Sequence, residues 1–333
     1  MSARRPRVLL TLPIDPAGMA RLAPVVDAWV PPDTRPETLR REVREADGVI
    51  VRAQLPDDVF EHAPRLLAVV RHGVGMDMIP VEAATAHGIA VANVPGVNAT
   101  AVAEYCVAGL LLLARRMHRI DSRLRADGWA AGREETEAAV ELRSRTLGIV
   151  GVGSVGSALA RIAHHGFGMR VLGHQRRLDA LPEFVSAQPD LDALFAESDF
   201  VVLCCPLTDA TRGLASAARI ARMRPDAGLI NVARGPVVDE PALLEALRAG
   251  RIGGAVLDVF QQQPLPRDHG LLGCERAVLT PHAAGITREA MQLMSVGAAD
   301  DLLRILAGET PRHFVNPQCW PAFLERRRAL GYA

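Results

Sequence analysis

The sequence predicts an α/β protein built on two doubly wound parallel sheets, and three observations carry that prediction. The chain has 333 residues, more than one small domain needs and enough for two. Short apolar runs recur along it in the way of strands buried on both faces. Longer stretches with helical spacing separate them, and this alternation is the pattern of parallel sheets covered by helices.

In the first hundred residues the expected strands are "RVLLTL", "DGVIV", "LLAVV" and "IAVAN". Residues 99 to 126, "ATAVAEYCVAGLLLLARRMHRIDSRLRA", read as one long helix leading from a first domain into a second. Six more strands follow: "TLGIVGVG", "MRVLGH", "DFVVLCC", "AGLINVA", "GGAVLDV" and "RAVLTPH". Between them, "SVGSALARIAHHG" is an expected helix, and "DEPALLEALRAG" runs from an acidic first turn to a terminal glycine. A last helix, at about 286 to 307, would carry the chain back. The expected domains are therefore 1–98 with 289–333, and 99–288 inserted between them, with a cleft separating the two.

Charge and cysteine usage exclude several classes. Lys+Arg and Asp+Glu are equal at 38 each, which leaves no electrostatic footprint for nucleic acid or an acidic membrane. Cys106, Cys204, Cys205, Cys274 and Cys319 form no CxxC pair and suit a reducing compartment. The apolar part of "MSARRPRVLLTLPIDP" is too short for a signal peptide, and the longest uncharged apolar run, Tyr105 to Ala114, is about half a membrane span. A soluble cytoplasmic protein is expected.

The first chemistry-bearing motif is Gly151, Gly153 and Gly156, spaced GxGxxG, after an expected strand and opening an expected helix. Gly151 permits the tight turn, Gly153 lets backbone approach a pyrophosphate, and Gly156 lets helix pack on strand. The helix N-terminus then faces the anion. The next strand ends in Gln175, Arg176 and Arg177, where an NAD site usually has an acid for the ribose 2′-hydroxyl. A carboxylate would repel a 2′-phosphate, whereas arginine grips one, so NADP(H) is preferred, with NAD(H) as the alternative if both arginines are merely solvated.

With "RHGVGMDMI", "NVPGVNATAVAE", "CPLTDATRGL", "INVARGPVVDEPAL", "LDVF" and "TPHAAGIT" added to the glycine motif, the chain resembles the D-isomer-specific 2-hydroxyacid dehydrogenases over most of residues 50 to 290. The resemblance implies a Rossmann nucleotide-binding domain inserted into a flavodoxin-like substrate domain. It implies that Val74 and Gly75 offer N–H groups to a substrate carboxylate, that Arg234 pins a 2-keto acid, and that His282 is the acid/base. Arg52, His72 and Asn98 would stand on the substrate side. Ser154, Val155, Pro206, Thr208, Ala233 and Gly285 would line the cofactor site, with Asp258 facing the nicotinamide amide. Arg52, Arg71 and His72 would either receive an anionic substrate tail or be ion-paired scaffold. A homodimer through residues 99–130, with Trp129 near the interface, is also implied.

One position departs from the family pattern. Most members have a glutamate before the proline of DVF-x-x-E-P; here it is Gln263. An amide oxygen still accepts an imidazole N–H, but carries no charge to hold imidazolium, so the histidine should protonate less readily. Formate dehydrogenases resemble this chain in "QQPLPRDH", so glutamine does not imply a dead site. Asp268 and His269 stand close in sequence as candidates to compensate. The expected activity is NAD(P)H-dependent reduction of a small 2-keto acid to the D-2-hydroxy acid, of the glyoxylate/hydroxypyruvate type. The alternatives are a phosphoglycerate or sulfolactate-type dehydrogenase, a formate dehydrogenase, or a nucleotide sensor without turnover.

Overall fold

A computed structural model describes residues 4–332. The chain divides into two compact units, one running to Asn98 and resuming at Ile286, the other spanning Ala99–Gly285. Both are parallel-sheet α/β units.

The first unit carries β1 (Arg7–Leu10), β2 (Asp27–Trp29), β3 (Gly48–Val51), β4 (Ala68–Arg71) and β5 (Ala90–Ala92), in the order β2-β1-β3-β4-β5. Every pairing is parallel. The apolar runs are strands because helices cover both faces: β3 is buried along its whole length. One covering layer is the helix Arg288–Leu306, whose Leu302 and Ile305 reach the core. Gly18, in the helix Pro16–Leu22, lets these two helices cross closely; a Cβ there would lie 2.7 Å from Ser295 Cβ.

The second unit carries β6 (Thr146–Val150), β7 (Arg170–His174), β8 (Val185–Ala187), β9 (Phe200–Leu203), β10 (Gly228–Asn231), β11 (Gly254–Leu257) and β12 (Ala277–Leu279). Their order is β12-β11-β10-β9-β6-β7-β8, so the winding reverses at β6. In such sheets ligands bind outside the carboxyl ends of the strands at the reversal.

Two strands lie outside the apolar runs. β2 and β8 are three-residue edge strands, partly exposed and too short to mark a buried run. The long helix of residues 99 to 126 is in fact two helices, Ala99–Ala114 and Met117–Asp127. Arg116 breaks it with a φ of 52°, in the left-handed region. The apolar face ends at Ala114, and the second helix buries no residue, so nothing holds the two in line. The helix after β6 also stops early, at Arg161, and passes into a π turn, Ile162–Gly166.

Candidate active site

The glycine motif occupies the turn after β6. Gly151 has a φ of 93°, and a Cβ on it would lie 2.7 Å from the Cys205 amide nitrogen, so the turn runs against the chain leaving β9. A Cβ on Gly156 would strike the Gly151 carbonyl at 2.3 Å, which fixes helix against strand. Gly153 differs, since a Cβ there would meet nothing within 4 Å. The helix Ser154–Arg161 has no side-chain cap and no acid in its first turn. Its orphan N–H groups, led by the exposed Ser154 and the half-buried Val155, therefore open onto free space. This donor set fits a dinucleotide pyrophosphate.

The ribose end is set by β7. Gln175 donates its amide N–H to the Arg177 carbonyl at 2.8 Å, which shapes the loop. Arg176 and Arg177 are exposed, and neither forms an ion pair among the described residues. Pro206 and Thr208 lie exposed after β9, held by Thr211, whose hydroxyl donates to the Pro206 carbonyl at 2.6 Å and accepts from the Thr208 amide at 2.8 Å. Thr211 is a scaffold residue that the motif reading passed over. Ala233 is 4% exposed and its side chain belongs to the core, so only its backbone is left for the role the sequence gave it.

The acid/base candidates stand at the carboxyl ends of β10, β11 and β12. Asp258 N–H donates to Asn231 O at 3.1 Å, and His282 N–H to Asp258 O at 2.8 Å. These backbone bonds continue the sheet beyond its strands and bring the Arg234 and His282 segments to one edge, two strand spacings or roughly 10 Å across. Gly235 tightens the arrangement, because a Cβ there would lie 2.0 Å from the Phe260 carbonyl carbon. The segment leading to Gln263 thus rests on the residue after Arg234. Asn231 holds the other side, accepting from Ala233 N–H at 3.0 Å and donating to Arg234 O at 3.1 Å.

His282 has a φ of 55°, rare for a residue with a Cβ, and the neighbouring structure enforces it. The enforcing group is Asp258, 1% exposed. Its carboxylate accepts from Ala283 N–H at 2.7 Å, Ala284 N–H at 2.9 Å and the Thr280 hydroxyl at 2.5 Å. Thr280 is bonded in turn to the Tyr105 hydroxyl. Burial, opposed by the Thr280 hydrogen bond, pushes the Tyr105 phenol up to about 12, so it stays a neutral donor. The Asp258 carboxylate, which the resemblance set toward the nicotinamide, is also engaged by the loop that carries His282. Gly285 closes that loop.

His282 Nδ1 lies 3.3 Å from Gln263 Oε1, so the amide oxygen can accept the ring N–H and fix the orientation of the imidazole. His269 does not compensate for the missing acid, because its Nε2 pairs with Glu240 at 3.1 Å and its Nδ1 accepts from Leu271 N–H. Asp268 is exposed and enters no described contact with His282.

In the first unit, the turn after β4 presents a second donor set. Gly73 O accepts from Val94 N–H at 2.8 Å, Val74 O from Asn93 Nδ2 at 2.8 Å, and Gly75 O from Arg71 Nε at 3.1 Å. With three successive carbonyls tied back, the N–H groups of Val74 and Gly75 are left without an acceptor among the described residues. Such a pair of amides suits a carboxylate. Arg71 also bonds Val51 O and His72 O, which makes it a clamp on this loop rather than a tail receptor. His72 is likewise corrected from pocket to scaffold. It is 4% exposed, and its Nε2 meets Ser295 Oγ at 2.7 Å, tying the loop to the long helix. Burial, with the Arg52 and Arg71 cations beside it, pushes His72 down to about 4. Arg52 donates to the Pro13 carbonyl and stays partly exposed. Asn98 is the last residue of the unit, half-buried before the helix that opens the next.

A sheet reversal with an uncapped glycine turn, and an arginine and an oriented histidine on the same edge, define a dinucleotide-dependent oxidoreductase. Comparison with known proteins carries this further. The family model for the D-isomer specific 2-hydroxyacid dehydrogenase NAD binding domain matches residues 107–284. The glyoxylate reductase of Korarchaeum cryptofilum is 38% identical over 324 residues, 94% of this chain and 97% of that protein. Glyoxylate/hydroxypyruvate reductase B of Pectobacterium carotovorum is 41% identical over 276 residues, 82% and 86% of the two chains. Among solved structures, the NADPH-dependent glyoxylate/hydroxypyruvate reductase of Sinorhizobium meliloti, in complex with NADP and malonate, superposes with a TM-score of 0.83 at 30% identity, covering 94% of this chain and 97% of that one. The chain belongs to the D-isomer-specific 2-hydroxyacid dehydrogenase family.

Proposed function

We propose that this protein reduces a small 2-keto acid of the glyoxylate or hydroxypyruvate type to the D-2-hydroxy acid, with NADP(H) preferred over NAD(H). The observation that carries the chemistry is the His282–Gln263 pair on the same sheet edge as Arg234. Bound NAD(P)H supplies the hydride. The amides of Val74 and Gly75 receive the substrate carboxylate, and Arg234 holds and polarises the keto group with its planar fork. His282, protonated at Nε2, gives that proton to the carbonyl oxygen as it gains negative charge, and takes it back in the reverse direction. The exposed Arg176 and Arg177, neither ion-paired among the described residues, favour a 2′-phosphate. Asn98, Pro206, Thr208 and Gly285 complete the binding residues. Two copies associate through the region around 99–130, where Met117 and Trp129 are exposed, Trp129 by 76%.

Two measurements test this reading. NADPH and NADH oxidation with glyoxylate, hydroxypyruvate, pyruvate, phenylpyruvate and 3-phosphohydroxypyruvate should give turnover with the first two and a higher kcat/KM for NADPH. Tight NADPH binding without turnover on any keto acid, or formate oxidation instead, would overturn it; sedimentation of the same preparation reads the dimer. Replacing Gln263→Glu restores a charge beside Nδ1, so the upper limb of the pH profile for reduction should move to higher pH, by about one unit. An unmoved profile would mean that Gln263 does not govern the His282 proton.

A further inference from the structure

The opposite end of the second unit's sheet holds a feature that the reaction does not use. A cavity of about 280 Å³ opens where β6, β9, β10 and β11 begin, the edge remote from the glycine turn and His282. Arg116, Arg145 and Arg276 line it together with Asp199 and Asp226, and Gly228, Gly250, Gly253 and Gly254 form much of its wall. Backbone and neighbouring side chains enforce those glycines: a Cβ on Gly228 would lie 2.8 Å from Leu113 Cδ1, and one on Gly253 2.5 Å from Asp226 O.

The ion pairs around this cavity do not balance. Asp199 holds Arg145 at 3.1 Å and Arg224 at 3.3 Å, while its other oxygen accepts from Thr146 N–H at 2.7 Å. Asp226 lies within 3.9 Å of the same two arginines. Two carboxylates thus answer Arg145 and Arg224. On the other side, Arg116 and Arg119 share one carboxylate, Glu135, at 3.3 Å and 2.6 Å. Arg276 reaches only the Gly253 carbonyl, at 3.4 Å, and forms no ion pair among the described residues. Two positive charges are left uncompensated. They also sense one another: burial, then the Arg119 and Arg276 cations, lower the proton affinity of Arg116 against the pull of Glu135. Beside them, the buried Arg119 Nε and Nη1, like Glu135 Oε2, have no hydrogen-bond partner among the described residues. Buried donors of this kind call for an acceptor.

We infer that this cavity is a second, non-catalytic site for a small doubly charged oxyanion, a phosphate or dicarboxylate group gripped by Arg276 and Arg116. A planar guanidinium offers such a group paired donors, and the cavity volume admits the anion with a short carbon chain. The four strands that begin at the cavity end at the cofactor and acid/base residues, but binding here does not require turnover there.

The test uses the full chain saturated with NADPH, so that the cofactor's own phosphate positions are filled. Thermal stability is followed against inorganic phosphate, and separately against succinate, with chloride holding ionic strength constant. Saturable stabilisation is expected with at least one anion, and which one distinguishes the two sources. Arg276→Gln should weaken it at least about tenfold while leaving kcat unchanged. If that variant does not fold, Arg276→Lys keeps the charge without the fork and should still weaken binding. A crystal soaked with tungstate should show the metal between Arg276 and Arg116. Equal stabilisation of the parent and a folded Arg276 variant, no stabilisation by either anion, tungstate only at Arg234 or the glycine turn, or a second copy filling the cavity would each overturn the assignment.

Discussion

Two glycine-bearing turns, one in each unit, leave backbone N–H groups without an acceptor among the described residues, and they are built differently. The turn of Gly151–Gly156 is held mainly by backbone: Gly151 N–H donates to His174 O at 2.8 Å, the missing Cβ atoms let the chain leaving β9 and the following helix close on it, and one side chain, the Ser157 hydroxyl, donates to the Val152 carbonyl at 3.1 Å. The turn of Gly73–Gly75 takes two side-chain clamps, Arg71 on the Gly75 carbonyl and the distant Asn93 on the Val74 carbonyl, besides the backbone bond from Val94 N–H to Gly73 O. The first is written in six consecutive residues. The second exists only because strands β3, β4 and β5 stand side by side.

The sharpest way to break this comparison is Gly151→Ala. A Cβ 2.7 Å from backbone at a φ of 93° forces the turn open. NADPH affinity should fall by at least about 100-fold, roughly 3 kcal/mol, as read by fluorescence titration. Unchanged affinity would show that the turn is not fixed by close approach.

The two turns also separate in pH. Gly151–Gly156 has no titratable side chain, whereas the other turn lies over His72, neutral when folded. Between 6.5 and about 4 the unfolded chain takes up a proton at His72 that the folded chain refuses. Stability therefore declines as pH falls through that window and is flat for this group above and below it, a loss of about 3 kcal/mol at most. Denaturation of the parent and His72→Gln across that range checks this; parallel curves would remove His72 from the account.

A smaller effect is expected from loosening the side-chain clamps. Arg71→Met should raise the keto-acid KM with NADPH affinity unaltered, by about 2 kcal/mol or 30-fold, and Asn93→Ala by about 1 kcal/mol. A fall in kcat with KM unchanged would place these residues elsewhere in the mechanism.

Residue type at short spacing was legible without coordinates. GxGxxG needs only a strand before it and a helix after it, and ten apolar runs marked ten strands. The His282–Gln263 pairing was readable from the family pattern, nineteen residues apart in sequence but specified by one proline-bearing motif. What the sequence hid lies where partners are distant or short. β2 and β8 are edge strands too short to mark a buried run. Arg116 interrupts a stretch with helical spacing on both sides, where burial stops at Ala114. Asp258 is the clearest case. The resemblance implied a cofactor contact for it, and nothing in the sequence showed that Thr280, Ala283 and Ala284 gather around its carboxylate.

By itself, then, the sequence determined the parallel-sheet architecture and the glycine turn, since both follow from local periodicity and spacing, while the candidates for the reacting side chains came from the family resemblance. Only the tertiary structure decided which polar groups hold the scaffold, as do the Asp258 carboxylate, His72 and Arg71. A hydrogen bond depends on the few ångströms between two atoms, and the chain brings those atoms together from positions that sequence spacing does not constrain.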